Sequence, residues 1–312
     1  MSWRGAAAAL AGAGAVVVAG ALLEAHAFRI VRHDLTLTGT TGGEGEADLR
    51  ILHIGDTHYL RGQRDKAAFV ASLASTHPDL VVATGDLLSD DAGFDEFMAA
   101  LSGLTHLPGV FVFGSNDYFA PALGNPLAYL VGPSDARRPR GRQLNWRRVR
   151  DALTEAGWRR LDNRRTRLQV AGLTVDVRGS GDAHMRLDDY AAGASRWVST
   201  GSTAGASTTP AGLVLGVMHA PYRRILDAMH GDGVALMLAG HTHGGQICLP
   251  GRAIVTNCDL PTDYAKGLHR YPPEPAAGES WLHVTGGIGT APSFPLRTFN
   301  RPEACILDVK LR

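Results

Sequence analysis

The sequence predicts an α/β domain preceded by an N-terminal hydrophobic helix, and three observations carry that expectation. Apolar runs of β type alternate with segments of helical period. Several of these runs end abruptly in glycine followed by acids, amides or histidines. A chain of 312 residues that is 45% hydrophobic and 20% charged can bury a large core, which excludes wholesale disorder. A formal net charge of +1 gives no global attraction to nucleic acid. Three scattered cysteines, Cys248, Cys258 and Cys305, make no disulfide framework and no CxxC pair, so thiol chemistry is set aside.

The elements follow in order. From Gly5 to Leu23 the chain uses only Ala, Gly, Val and Leu, a helix of about 28 Å at about 1.5 Å per residue, close to a bilayer core of about 30 Å. Residues 1–27 are therefore read as a single-pass membrane anchor. Two competing readings are a secretory signal peptide cut after Ala25-His26-Ala27 and a buried Ala-rich helix. The orientation stays open, because Arg4 lies on one side and Arg29 and Arg32 on the other. After a glycine-rich spacer at Gly39 to Asp48, strands are expected at Arg50 to Ile54, Asp79 to Ala83, Val110 to Phe113, Leu213 to Val217, Val234 to Leu238 and Trp281 to Val284. Helices are expected at Arg64 to Ser75, Phe94 to Leu101, Trp146 to Ala156 and Tyr222 to His230, with Gly157 stopping the third. Leu168 to Val170 and Leu173 to Val177 flank Ala171-Gly172 as a hairpin, and Gly193 to Gly212 reads as a surface loop.

The chemistry gathers where strands end. Gly55-Asp56-Thr57-His58, Gly85-Asp86, Gly114-Ser115-Asn116-Asp117 and Gly240-His241-Thr242-His243 each close an apolar run, and His219 closes another. In an open α/β sheet the carboxyl ends of the strands share one edge, so these groups should converge. Asp, His and Asn suit divalent first-row metals such as manganese, iron or zinc. Asp56 and His58, like His241 and His243, are two residues apart and can share a face of an extended segment. The ligand count exceeds what one tetrahedral ion uses, so two ions are expected. A single Asp after a strand is more often a cap or turn former, and a lone histidine more often packs. The joint order D-x-H, G-D, G-H-x-H outweighs that reading. His26, His33, His77, His106, His230 and His269 are assigned to the surface, and His53 and His283 to strands. His184, in Gly181-Asp182-Ala183-His184, could line the site.

With those residues in view, the chain resembles the calcineurin-like metallophosphoesterases, specifically a bacterial membrane-associated branch similar to UDP-2,3-diacylglucosamine hydrolases. The motifs are ILHIGDTH at 51–58, VVATGD at 81–86, VFGSND at 112–117, GVMH at 216–219 and LAGHTHGGQ at 238–246. The resemblance implies two packed mixed β-sheets flanked by helices over residues 28–312. It also implies two metal ions, one on Asp56, His58 and His243, the other on His219 and His241, with Asp86 bridging. The activity implied is hydrolysis of a phosphomonoester, phosphodiester or pyrophosphate by metal-activated water, on a lipid or cell-envelope substrate.

One departure stands out. The family pattern at the third strand end is G-N-H-D/E, whereas this chain has Ser115 and Asn116. Asn116 is favoured to move inward and supply the amide oxygen. In the other arrangement Ser115 offers a hydroxyl and Asn116 hydrogen-bonds the phosphate. Either way the imidazole that would protonate the leaving group is missing, a role worth about 10² to 10⁴ in rate. Asn116, Asp117 and His184 are the candidate catalytic residues, His184 as the substitute acid. The alternative is a metal-bound scaffold with weak or lost catalysis.

Twelve arginines lie between Arg137 and Arg167 against three acids. The bland reading is a solvated basic face. The sharper one is a lid at Pro121 to Asn145 that presents Arg137, Arg138, Arg140 and Arg142 to anionic substrate or lipid head groups. Nucleic acid is disfavoured, since no reading module accompanies the patch.

Overall fold

The protein is described by a computed structural model covering residues 3–38, 47–121, 141–193, 195–198, 211–273, 279–291 and 294–312. In chain order the elements are α1 (Trp3–Glu24), β1 (Arg29–Leu37), β2 (Ala47–Ile54), α2 (Arg64–Ser72), β3 (Leu80–Ala83), α3 (Phe94–Thr105), β4 (Gly109–Phe111), α4 (Ser115–Tyr118) and α5 (Trp146–Glu155). They continue with β5 (Arg159–Arg160), β6 (Arg164–Val170), β7 (Leu173–Gly179), α6 (Tyr190–Gly193), β8 (Leu213–Val217), α7 (Arg223–Gly231) and β9 (Leu236–Ala239). A small hairpin of β10 (Cys248–Leu249) and β11 (Arg252–Ala253) precedes β12 (Gly267–Tyr271), β13 (Ser280–Val284) and β14 (Glu303–Leu311).

Two six-stranded mixed sheets face each other. The first runs β1-β14-β2-β3-β4-β5 and the second β12-β13-β9-β8-β7-β6. The strands β2, β3 and β4 are mutually parallel, as are β7, β8, β9 and β13, so the strand ends that carry the polar motifs share an edge. Side chains alternate between faces of a strand. Leu49 and Ile51 of β2, with Val82 and Val110, therefore meet Val175, Val177, Leu215 and Leu238 between the sheets. Leu52 and Ile54 turn outward instead, joining Val81 and Phe111 under Val70, Phe97, Leu101 and Leu153 of α2, α3 and α5. On the far side α7 lays Ile225, Leu226 and Met229 over the second sheet.

The expected strands and helices are present, with ends shifted by up to a few residues, and the hairpin is β6–β7. The edge strand β1 and its neighbour β14 were not anticipated. β1 alternates poorly, since Arg32, His33 and Asp34 interrupt its apolar pattern, and it is held by pairing with β14. His33 consequently stands in a strand, half-buried, rather than on the surface. The arginine lid at 121–145, with Arg137, Arg138 and Arg140, falls largely outside the described residues, as do most of the 193–212 loop and the 39–48 spacer. Arg142 is described, and pairs with Asp90 and Asp91.

The hydrophobic helix forms as α1, but the membrane-spanning anchor is not supported: among the described residues no helix is long and apolar enough to cross a membrane. The C-terminal end of α1 rests on the body. Ala21 is buried, its carbonyl accepts the Arg297 amide, and the Glu24 carboxylate accepts the amides of Phe299 and Asn300.

Candidate metal centre

Five loops leaving β2, β3, β4, β8 and β9 meet at the common edge. The backbone there is unusual: Asp56, His58, Asp86, His241 and His243 all have positive φ, between 41° and 71°. Residues with a Cβ pay for this conformation, about 1 kcal/mol or more each, and such strain concentrates at functional sites. Glycine permits the close approach. A Cβ on Gly114 would stand 2.3 Å from Asp86 Oδ1, and one on Gly240 would stand 2.5 Å from Asp56 Oδ2.

Two overlapping clusters result. Asp56, His58 and His243 each bring a donor atom within 4.8 Å of the others, and so do Asp56, Asp86 and His219. His58 Nε2 lies 3.1 Å from His243 Nε2, and His243 Nε2 lies 3.7 Å from Asp56 Oδ1. Asp86 Oδ2 is nearly equidistant from the two sides, 3.5 Å from His58 Nε2 and 3.6 Å from His219 Nε2. Partners behind the site fix which ring nitrogen faces inward. His58 Nδ1 meets Ser89 Oγ at 2.9 Å, and His219 Nδ1 meets the Thr84 carbonyl at 2.8 Å. Both rings thereby turn Nε2 toward the acids, the usual arrangement when an outer partner orients a metal-binding histidine. His219 Nε2 and His243 Nδ1 are buried without a hydrogen-bond partner among the described residues.

The electrostatics ask for a cation. Burial pushes His58 down to about 4 and His243 well below the ordinary imidazole range, keeping both neutral. Burial, reinforced by Asp86, raises Asp56 to about 7. Asp86 stays below the usual carboxylate range despite its burial, because His219, His58 and the Asn116 hydrogen bonds favour its charge. His219 is raised to about 9 against its burial by Asp86, Asp182 and Asp56, so the acids enlist the one available ring as a cation. Neutral inward imidazoles beside paired carboxylates are a donor set for divalent metal.

The remaining sequence candidates fall differently. The His241 amide donates to both Asp56 oxygens at 3.0 and 2.9 Å, and its ring sits 5.2 Å from that of His219. Its Nε2 meets the Asn257 carbonyl at 3.1 Å. Asn116 contacts Asp86 through its backbone amide at 2.8 Å and its Nδ2 at 2.7 Å, so its side chain acts here as a donor. Asp117 accepts the amides of Asp86, Leu87 and Gly114 at 2.7 to 2.9 Å, which ties the Asp86 turn to the 114–117 loop. His184 sets its ring 4.5 Å from that of His241, tilted by 44°, and meets the Tyr222 hydroxyl at 3.3 Å.

Several fastening residues carried no local signal in the sequence. Arg297 is fully buried and donates to the carbonyls of Gly286, Gly287, Gly289, His243 and Asn300. Asn300 Nδ2 also donates to the His243 carbonyl, and the buried Lys66 donates to the Thr57 carbonyl at 2.8 Å. Asp182, buried near His219, is raised to about 7 by burial. Their partners are distant in sequence and mostly backbone atoms, so no spacing announces them.

The family model for calcineurin-like phosphoesterases matches residues 49–245, the stretch that holds every residue of this cluster. The chain belongs to the calcineurin-like phosphoesterase family. Members of curated standing resemble it along most of their length. The phosphodiesterase YaeI of Escherichia coli K12 is 25% identical over 290 residues, covering 90% of this chain and 88% of that one. The proteins named as uncharacterized metallophosphoesterases YkuE and YkoQ of Bacillus subtilis 168 are 23% and 26% identical, covering 92% and 82% of this chain and 87% and 81% of their own. This calcineurin-like chain is accordingly a phosphoester hydrolase. The likenesses reach the family and stop short of the branch resembling UDP-2,3-diacylglucosamine hydrolases.

Proposed function

We propose that the chain is a dinuclear metal-dependent phosphohydrolase that acts on a phosphomonoester, phosphodiester or pyrophosphate presented at an apolar boundary. The observation that carries the dinuclear reading is Asp86 Oδ2 between His58 and His219, at 3.5 and 3.6 Å. Asp56, His58 and His243 would hold one cation, His219 and His241 the other, and Asp86 would bridge them. Since His241 Nε2 is engaged by Asn257, ligation by that residue falls to Nδ1. Manganese, iron and zinc all suit the donors, and two such ions supply Lewis acidity toward phosphoryl oxygens together with a lowered water pKa.

The chain's own residues do the rest. Ser89 and Thr84 hold two rings in the ligating tautomer, and Asp117 grips the Asp86 turn through three amides. Asn116, tied to Asp86, orients a phosphoryl oxygen through its amide group, and rotation of that amide would instead offer its oxygen to the second cation. With no imidazole in the 114–117 loop, His184 beside His241 serves as the proton donor to the leaving group. A boundary substrate fits the placement of α1, whose Glu24 grips Asn300, itself bonded to the His243 carbonyl. Val16, Val17 and Leu23 of α1 and Phe299 are exposed, and membrane attachment through α1 follows from this reading.

The test uses the full chain, loaded with manganese, zinc or iron(II), on aryl phosphomonoesters and phosphodiesters. Metal-dependent turnover should fall by at least about 10³ in Asp86→Asn. Wild-type protein that shows no more metal-dependent turnover than this variant would end the proposal and leave a metal-bound scaffold. His184→Ala should lose about 10² on alkyl esters and little on aryl esters, whose leaving groups need no proton. Equal losses on both would remove His184 from that role. Flotation with liposomes checks attachment, and a chain that stays in the aqueous phase refutes it.

A further inference from the structure

One layer beneath the metal loops, inside the sandwich, a second group of ligand-type side chains converges. His33 of β1, His283 of β13 and Cys305 of β14 each bring one ring nitrogen or sulfur within 4.8 Å of the others. Register explains how. Cys305 pairs with His53 of β2 on one side and Val31 of β1 on the other, and His33 follows Val31 by two residues. His53, Cys305 and His33 therefore project from the same face of the first sheet, in line with Leu49, Ile51, Leu307 and Leu35 of the core between the sheets. His283 reaches them from the opposite sheet, its ring 4.9 Å from His33 and 5.0 Å from His53.

An imidazole placed in an apolar interior is costly unless its polar atoms are met. His53 meets that condition, with Nδ1 at 2.9 Å from His283 Nδ1 and Nε2 at 3.0 Å from Thr84 Oγ1. His283 does not, because its Nε2 is fully buried and has no hydrogen-bond partner among the described residues. A hydrogen-bond network alone therefore leaves one nitrogen unexplained, in a ring that faces both another imidazole and a thiol.

We infer that His33, His283 and Cys305 form a further metal site, separate from the phosphoester centre, for an ion of the zinc class that takes imidazole and thiolate together. Such ions prefer four tetrahedral ligands drawn from Cys and His, and three protein ligands leave one position for water or an outside donor. The surroundings already hold the outer shell. His53 fixes the ring of His283 through Nδ1, as metal-bound histidines are usually fixed by their second nitrogen. Burial keeps His283 neutral and holds Cys305 protonated, so binding displaces the thiol proton, which leaves to solvent as the metal–sulfur bond forms. Entry is from the side: β1 is the edge strand, and His33 is the partly exposed member of the three. Cys248 and Cys258 lie outside the cluster.

The site is tested by loading the full chain with cobalt(II), whose bond to a thiolate gives a near-ultraviolet charge-transfer band that a centre of Asp and His donors cannot give. Wild type should show the band and bind one more equivalent of zinc than Cys305→Ser. The band should survive in Asp86→Asn, which disables only the phosphoester centre. His33→Gln, altered at the partly exposed position where folding is least at risk, should weaken zinc binding tenfold or more. The inference is overturned if wild type shows no band, if the band persists in Cys305→Ser, if it disappears in Asp86→Asn, or if His33→Gln binds zinc as tightly as wild type.

Discussion

Replacing Arg297 by Met should weaken the centre although Arg297 is no ligand. The guanidinium donates to five carbonyls, those of Gly286, Gly287, Gly289, His243 and Asn300. Methionine fills much of the volume and donates to none. The carbonyls of His243 and Gly287 keep other donors, the Asn300 side chain and the Gln246 amide for the first and the Glu303 amide for the second. A buried carbonyl left unmet costs about 1 to 3 kcal/mol, so the remaining three would cost up to about 9 kcal/mol before compensation. The variant recovers the desolvation of a buried charge, several kcal/mol, whose weight shows in Arg297 being pushed down to about 10 by burial. The net loss should be about 4 kcal/mol. An unfolding entropy of about 2.1 cal/mol/K per residue over 312 residues turns this into a fall in Tm of about 6 °C. Calorimetry of Arg297→Met gives the shift, and metal analysis should show lower occupancy because the His243 loop is loosened. Arg297→Lys, with three donors, should recover part of the loss. A Tm within 2 °C of wild type at full occupancy would refute the fastening role.

Three further outcomes are expected. Gly114→Ala forces a Cβ to within 2.3 Å of Asp86 Oδ1, so bound metal and turnover should collapse while circular dichroism stays native; near-normal activity would show that the turn yields. Asp117→Asn turns an amide NH₂ toward a backbone N–H that the carboxylate now accepts, costing about 2 kcal/mol in urea unfolding, and an unchanged midpoint would contradict the assigned contacts. Burial, with Arg297 nearby, lowers Lys66 to about 7, so between about pH 7 and the ordinary lysine value of 10.5 the unfolded chain holds a proton that the folded chain lacks. Stability should therefore rise with pH across that window, by up to about 1.4 kcal/mol per unit relative to Lys66→Met, and parallel stability–pH curves for the two proteins would dismiss the shift.

Legibility in the sequence followed the range of the interaction. β2, β3, β8 and β9 are short apolar runs ending in Gly plus a polar group, a local pattern, and Asp56, His58, Asp86, His219 and His243 were readable from it. β1 and β14 were not, because their pairing spans the whole chain and the polar interruption in β1 hides its alternation. The same interruption concealed His33. A histidine in a broken pattern reads as surface, and only the β1–β14–β2 register sets it beside Cys305 and His283. The sandwich itself came from resemblance, since apolar alternation alone does not count sheets.

The left-handed backbone at the ligand positions connects these strands of evidence. Five such residues store several kcal/mol at one edge, and that strain persists only if neighbouring structure over-determines each loop. The fastenings are distributed accordingly. Asp117 takes the amides around Asp86, the His241 amide closes on Asp56, Lys66 takes the Thr57 carbonyl, and Arg297 and Asn300 take that of His243. Each strained loop has its own external clamp, which places the ligands before any cation arrives and lowers the ordering cost of binding. Departure from the family at Ser115-Asn116 touches none of these clamps. Loss of the family imidazole should therefore lower the rate on poor leaving groups while leaving metal affinity intact, which separates it experimentally from Gly114→Ala and Arg297→Met, where affinity falls first.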